Sequence, residues 1–209
     1  MSGSCLALAL CAACGGASDA TGPGAAGTTH PVVTTRPTVI VQGTTRAVQT
    51  GKVIPTYGAM WTKRETRSPG EPTEPVAVLV DIRAAEHSDF DRVTFEFDRP
   101  FRGYTVSYVP RVANDPNGWL VPLPGRAFLE VNIKSATFDN SYQVTAAADR
   151  QQYKGPKRLA LNLPEILEVA PAGDFESVVS FGFGLKMKNV YRVIALDSPS
   201  RLVIDIAHR

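Results

Sequence analysis

The stretch that decides the fold lies at the C-terminus, Asp197-Ser-Pro-Ser-Arg-Leu-Val-Ile-Asp-Ile206. Its first residues are typical of a tight turn, and the residues after them alternate as they do in a β-strand. One face carries Leu202, Ile204 and Ile206, and the other carries Val203 and Asp205. An apolar strand at a chain end has to pair within a sheet, because it would otherwise lie exposed in water. We therefore predict that the C-terminus is built into a β-sheet.

The same alternation recurs throughout residues 76–209. In the segment from Asp89 to Asp98 the inward face is predicted to carry Val93, Phe95 and Phe97. Further inward faces are predicted for Val76, Val78, Val80 and Ile82; for Tyr104, Val106 and Tyr108; for Leu129, Val131 and Ile133; and for Val179, Phe181, Phe183 and Leu185. Short alternating strands without a sustained helical period predict an all-β fold, a β-sandwich of antiparallel strands.

The part of the chain before this domain has a different composition. Residues 15–75 are rich in Thr, Gly and Pro, and they carry few acidic residues. Such a sequence buries no core, so we expect a flexible linker here and a domain at residues 76–209. Residues 39–61 contain β-prone and aromatic side chains, which fit either an edge strand or a partner-binding tract, although we expect most of the segment to be disordered.

The cysteines are confined to the first 14 residues, at Cys5, Cys11 and Cys14. The apolar run that ends in small residues before Cys14 resembles the end of a bacterial lipoprotein signal, which predicts lipidation at Cys14 and a signal segment at residues 1–14. Two features depart from such a signal: Cys11 stands where Leu or Val is usual, and no basic residue precedes the apolar run. A start codon assigned too far downstream would explain both. The alternative is the Ala-rich N-terminus of a cytoplasmic protein.

Motifs that carry chemistry are scarce. The sequence has no Gly-rich phosphate loop, no Gly-x-Ser-x-Gly and no His-Glu-x-x-His, and its histidines stand far apart, at His30, His87 and His208. Asp89 and Asp91 share a face of an extended strand, but a cation needs further ligands, and Arg92 is close enough to neutralise one of them. We expect no catalytic residue, no metal, no cofactor and no enzymatic activity.

Three aromatic residues are candidates for a ligand-binding surface. Trp119 follows a turn at residues 114–118, Phe128 falls on the polar side of its strand, and Tyr142 lies in a polar loop. Exposed rings of this kind stack on the CH groups of sugars. Nearby cations for anionic groups are Arg126, Arg102 and Lys134. The alternative for each ring is a cover over the edge of the core.

The strand Ser180-Phe-Gly-Phe-Gly-Leu185 has one aromatic face and one nearly bare face. Glycine weakens a strand, so Gly182 and Gly184 indicate that another group approaches the backbone closely. This group is a ligand, a partner or a loop of the same chain, and we predict the loop.

Three blocks carry a resemblance to a known family: Phe90-Asp-Arg-Val-Thr-Phe-Glu-Phe97, Gly173-Asp-Phe-Glu-Ser-Val-Val-Ser-Phe-Gly-Phe-Gly-Leu185 and Ser198-Pro-Ser-Arg-Leu-Val-Ile-Asp-Ile206. They resemble the AMIN-like domain of actinobacterial lipoproteins, a relative of the AMIN domains attached to cell-wall amidases and secretin subunits. The resemblance covers residues 76–209. It implies a compact β-sandwich in the cell envelope without catalysis of its own, and AMIN domains of amidases are associated with peptidoglycan targeting.

These observations lead to two hypotheses. The first is a non-enzymatic binding module for peptidoglycan or another wall polysaccharide, monomeric, and either lipid-anchored on the outer face of the cytoplasmic membrane or secreted. The second is a protein-interaction adaptor in envelope assembly, which would dock a partner on Ser180, Gly182 and Gly184 or on residues 39–61. Residues 76–209 contain 16 basic and 16 acidic residues, so the domain lacks the excess of positive charge that nucleic-acid binding requires.

Overall fold

The computed structural model describes residues 60–72 and 74–209. In it the alternating segments form two β-sheets that pack face to face. The strands of this part of the chain are β1 (Thr66–Ser68), β2 (Ala77–Glu86), β3 (Phe90–Phe97), β4 (Gly103–Val109), β5 (Ala127–Lys134), β6 (Ala136–Thr137), β7 (Leu159–Ala160), β8 (Ile166–Phe175), β9 (Val178–Leu185), β10 (Tyr191–Asp197) and β11 (Ser200–Ala207). A single 3-10 turn is described, at Ala147–Asp149. The predicted all-β sandwich is confirmed.

The strand order brings together segments that are distant in sequence. The first sheet has the order β1-β4-β5-β9-β8-β7, and the second has the order β10-β11-β3-β2-β6. The pairs of described strands are antiparallel except for β2 with β6. The C-terminal strand β11 lies between β10 and β3, with Leu202 opposite Phe95 and Ile204 opposite Val93. The prediction that the C-terminus is built into a sheet is therefore confirmed.

The core lies between the two sheets and is rich in aromatic side chains. Phe181 of β9 has no exposed surface, and its ring centroid lies 4.5 Å from that of Phe95 and 5.6 Å from that of Phe138. Strands β3, β4, β5, β9 and β11 bury the faces that the alternation predicts. Because these rings come from both sheets, their contacts join the two layers directly.

Strand β2 departs from the predicted alternation. The sequence places Val80 on the inward face, but Val80 is 46% exposed, whereas Leu79 is buried. A β-bulge between Leu79 and Asp81 is the cause, since the extra residue shifts the side-chain alternation by one. Leu79 and Ile82 consequently stand opposite Phe97 and Phe95. Before the bulge, Ala77 and Leu79 belong to the core between the sheets, whereas Val76 and Val78 are buried outside it, so the inward assignment is wrong for Val76, Val78 and Val80.

The ordered structure begins earlier than the predicted boundary at residue 76. Strand β1 adds to the edge of the first sheet, with Arg67 opposite Thr105. Thr62 pairs with Tyr191 at the edge of the second sheet, through two reciprocal N–H···O bonds of 2.8 Å. Thr62 and Thr66–Ser68, which the composition assigns to the linker, are thus paired with the two sheets of the domain. Cys14, the signal segment and the remainder of the linker before residue 60 lie outside the described residues.

Asp91 connects the two sheets at one end of the sandwich. Its buried carboxylate accepts hydrogen bonds from the backbone N–H groups of Glu165 (2.6 Å) and Ile166 (2.9 Å) at Oδ2. His208 Nε2 lies 2.7 Å from Oδ1 of the same carboxylate. Asp91 is therefore held by the protein itself, and Arg92, which the sequence suggested as its neutralising partner or that of Asp89, pairs with Asp205 instead.

The contact between Asp91 and His208 makes the stability depend on pH. Burial acts to lower the pKa of His208, but the hydrogen bond and the charge of Asp91 outweigh it and raise the pKa above its ordinary value. The stabilisation is fully present below about pH 6.5, the value for an unfolded chain, and is lost as the pH rises through the folded-state pKa. We expect urea unfolding to show a larger stability drop between pH 5.5 and 8.5 for the wild type than for His208→Gln. Equal drops would contradict this assignment.

Candidate ligand-binding surfaces

The most exposed aromatic surface belongs to the connection between β4 and β5, residues 110–126, here called the cover loop. Four prolines keep it out of regular strand pairing, at Pro110, Pro116, Pro122 and Pro124. Backbone hydrogen bonds nevertheless hold its shape: Asn114 N–H donates to the Trp119 carbonyl (2.6 Å) and Gly118 N–H to the Asn114 carbonyl (2.7 Å). These bonds confirm the predicted turn at residues 114–118 and hold Trp119 at the tip of the loop.

The cover loop lies on the bare face of β9, as predicted for the two glycines. A Cβ atom at Gly182 would stand 2.8 Å from side-chain carbons of Leu123 and Val112, and one at Gly184 would overlap the carbonyl oxygen of Pro124. The loop therefore requires glycine at both positions. Docking of a partner on Gly182 and Gly184, as the adaptor hypothesis supposed, is wrong, because the chain itself occupies that surface.

A cleft of about 510 Å³ remains between the cover loop and the outer face of β5. It is lined by Arg111, Val112, Leu120, Val121, Pro122, Leu123, Pro124 and Phe128. Leu120 of this lining is 62% exposed, and its neighbour Trp119 is 75% exposed, so two adjacent apolar side chains of the loop face solvent. Arg126 is exposed at the start of β5, and neither it nor Arg111 forms an ion pair with a described residue. The structure thus brings Trp119, Phe128 and Arg126 to one region of the first sheet.

Tyr142 lies elsewhere. It is 67% exposed, and its hydroxyl lies 3.3 Å from Oγ1 of Thr137, a residue of β6 at the edge of the second sheet. Tyr142 does not line the cleft of the cover loop. Of the other cations considered from the sequence, Lys134 is 3.9 Å from Glu71, and Arg102 is exposed on the approach to β4.

A second surface, on the outer face of the second sheet, was missed by the sequence analysis. Asp205 faces away from the core, yet it has no exposed surface, because Arg92 and Arg192 from the neighbouring strands fold over it. Trp61 and Phe90 pack against these arginines. The hydrogen bond to Asp205 raises the pKa of Arg92 above its ordinary value, although burial opposes this rise.

A signal for this surface exists in the sequence. Asp205 occupies an outward strand position between apolar neighbours, which calls for a cationic cross-strand partner. Which arginines provide it depends on the pairing of β11 with β3 and β10, and that pairing is not readable from the alternation alone.

Neither surface shows the arrangement of a metal site. The described residues contain no group of three or more His, Cys, Asp and Glu placed to hold a metal ion. In the same part of the chain, no helix has the length and apolarity needed to cross a membrane.

The fold and these surfaces define a class: a two-sheet β-sandwich module with an aromatic, loop-borne surface on one sheet. The family model that matches residues 77–208 is that of the AMIN-like domain, and the chain belongs to this family. AMIN-like domains are modules of cell-envelope proteins. Comparison with curated proteins and with solved structures gave no match.

Proposed function

We propose that the chain is a non-enzymatic binding module of the cell envelope that holds a wall polysaccharide, peptidoglycan in the first instance, against the cover loop. The observation that carries this proposal is the exposure of Trp119 on a loop fixed by backbone hydrogen bonds. A flat ring held in place stacks on a sugar ring without losing much conformational freedom. The family supports an envelope role, and the segment before Cys14 supports a lipid anchor that keeps the module near the wall.

The cleft beside Trp119 supplies the remaining contacts of a wall ligand. Phe128 provides a second ring, and Arg111 is a charged side chain in an otherwise apolar lining. Arg111 and Arg126 suit carboxylates of the peptides or sugars of the wall, since guanidinium groups bind carboxylates in a forked geometry. Tyr142 takes no part in this site, because it does not line the cleft and instead contacts Thr137 of β6 in the second sheet.

Replacing Trp119 with alanine tests the proposal. We expect the full chain to co-sediment saturably with isolated peptidoglycan sacculi. Trp119→Ala should weaken that binding up to about tenfold, since an aromatic contact contributes roughly 0.5–1.5 kcal/mol. Phe175→Ala is the matched control, because Phe175 is an exposed aromatic residue of the β8–β9 hairpin outside the cleft.

Equal binding by the wild type and Trp119→Ala would remove the cover loop from the site. A folded wild-type chain that ignores sacculi would favour the second candidate, a protein-interaction adaptor. The apolar lining of the cleft, with Leu120, Leu123 and Pro124, supports that candidate, since it suits an apolar side chain of a partner protein. Capture of one envelope protein that Trp119→Ala or Leu120→Asp no longer binds would establish it.

A further inference from the structure

We propose that the outer face of the second sheet carries an oxyanion-binding site built from Arg92 and Arg192, which takes a singly charged phosphodiester or carboxylate group. This surface is distinct from the cover loop, which lies on the other sheet. Its parts are the two arginines, Asp205 between them, and the rings of Trp61 and Phe90. We call it the arginine pair.

The charges of the arginine pair do not balance. Arg92 bonds Asp205 through Nε and Nη2, at 2.7 and 2.9 Å, and Arg192 Nε bonds the same carboxylate at 2.7 Å. No other acidic group among the described residues lies within ion-pair distance of either arginine. Two guanidinium groups against one carboxylate leave one positive charge, which a singly charged oxyanion would neutralise.

The next row of the sheet does not supply the missing charge. Beside Asp205 it presents Ile194, Val203 and Thr94, which are neutral. Arg83 follows Thr94 in the same row, but its guanidinium already bonds two carboxylates, those of Asp81 and Glu96, each at 2.6 Å. The unbalanced charge is thus local to the arginine pair.

Donors remain for a ligand. In the described part of the chain, Arg92 Nη1 and both Nη atoms of Arg192 have no hydrogen-bond partner. Both side chains reach solvent, with exposed fractions of 32% and 25%. These N–H groups suit an anion with two or more oxygens, since a guanidinium binds carboxylate and phosphate oxygens in pairs.

The arginines are also held in place before any ligand arrives. The Cζ atom of Arg192 lies 4.6 Å from the ring centroid of Trp61 and 5.0 Å from that of Phe90, while Arg92 Cζ lies 5.0 Å from Phe90. Rings on two sides and a buried carboxylate beneath restrict the side chain of Arg192. A preorganised cation loses less entropy on binding than a free surface arginine does.

Trp61 provides a direct readout of this site. The chain contains two tryptophans, so Trp119→Phe leaves Trp61 as the sole indole fluorophore. The full chain with Trp119→Phe is titrated with sodium dimethyl phosphate and, separately, with sodium acetate, each against sodium chloride at the same ionic strength. We expect a saturable change in Trp61 emission with at least one of the two oxyanions, and none with chloride.

Two further variants in the same background locate the response. Arg192→Gln should weaken the binding about tenfold or more, as loss of a charged hydrogen-bond donor does. Arg83→Gln is the matched control, an arginine of the same face whose charge is already neutralised, and it should leave the titration unchanged. If Arg192→Gln does not fold, Arg192→Lys replaces it. Lysine keeps the positive charge but lacks the paired N–H donors of a guanidinium, so this variant should weaken the binding more than Arg83→Gln does.

Vesicles distinguish the sources of a phosphodiester. Binding to vesicles of phosphatidylglycerol in phosphatidylcholine, and not to phosphatidylcholine alone, would assign the site to lipid headgroups. Binding of dimethyl phosphate without vesicle binding would assign it to a phosphodiester outside the membrane, and a response to acetate alone would assign it to carboxylates. No saturable response to either oxyanion, or an equal response in folded Arg192→Gln, would overturn the proposal.

Discussion

Asp205→Ala is expected to lower the free energy of unfolding by about 3–5 kcal/mol, the usual result when one member of a buried ion pair is removed. Asp205 has no exposed surface, and its carboxylate accepts hydrogen bonds from both Arg92 and Arg192. Without the carboxylate, two partly buried guanidinium groups face each other across the strand without a counter-charge. Urea unfolding followed by far-UV circular dichroism measures the change.

The matched control for this variant is Asp81→Ala. Asp81 pairs with Arg83 on the same face, but both side chains are well exposed, 39% and 49%, and Arg83 keeps Glu96 as a partner. Exposed pairs of this kind contribute less than about 1 kcal/mol. If Asp205→Ala lowers the free energy of unfolding no more than Asp81→Ala does, burial does not strengthen the ion pairs of Asp205 with Arg92 and Arg192.

The second large effect is expected in the core. Phe181→Ala should lower the free energy of unfolding by about 3–5 kcal/mol, because it removes a buried ring and leaves a cavity that the surrounding sheets cannot fill. The ring of Phe181 contacts Phe95 and Phe138, and these three residues come from β9, β3 and the segment after β6. The variant therefore loses contacts between the two layers of the sandwich.

Phe175→Ala is the matched control, because it makes the same substitution at an exposed position. Phe175 is 42% exposed at the turn between β8 and β9, so its truncation should change the stability by roughly 0.5 kcal/mol or less. Similar losses for the two phenylalanines would mean that the inward assignment of β9 is incorrect. Thermal melting of both variants at the same pH adds an independent measure.

Part of the candidate glycan site was predictable from the sequence, for reasons that are local. Trp119 follows a turn signal, and Phe128 falls on the wrong side of an alternating strand, so both were expected outside the core. Both are found there, at the edge of the cleft and in its lining. Tyr142 met the same local criteria, but its hydroxyl contacts Thr137 of β6 in the second sheet, and no local pattern shows which sheet a loop residue will contact.

Other features needed information that a single strand does not carry. The bulge in β2 shifts the alternation of side chains at Val80. The residues around it are Val, Leu and Asp, and none of them is a sequence signal for a bulge. The role of Trp61 depends on Thr62 pairing with Tyr191, more than a hundred residues away along the chain. The composition of residues 15–75 predicts a linker because it averages over the short part, Thr62 and β1, that pairs with the sheets.

The sequence by itself determined the class of fold, the inward faces of β3, β4, β5, β9 and β11, and the close approach of another group to Gly182 and Gly184. These properties follow from side-chain alternation and from the absence of a Cβ atom, which are local. The tertiary structure alone decided that Asp205 is buried between Arg92 and Arg192 and that Asp91 turns inward to meet Glu165, Ile166 and His208. Those contacts depend on which strands become neighbours. No single segment selects that arrangement, because it is the one that buries the apolar faces of all the strands together.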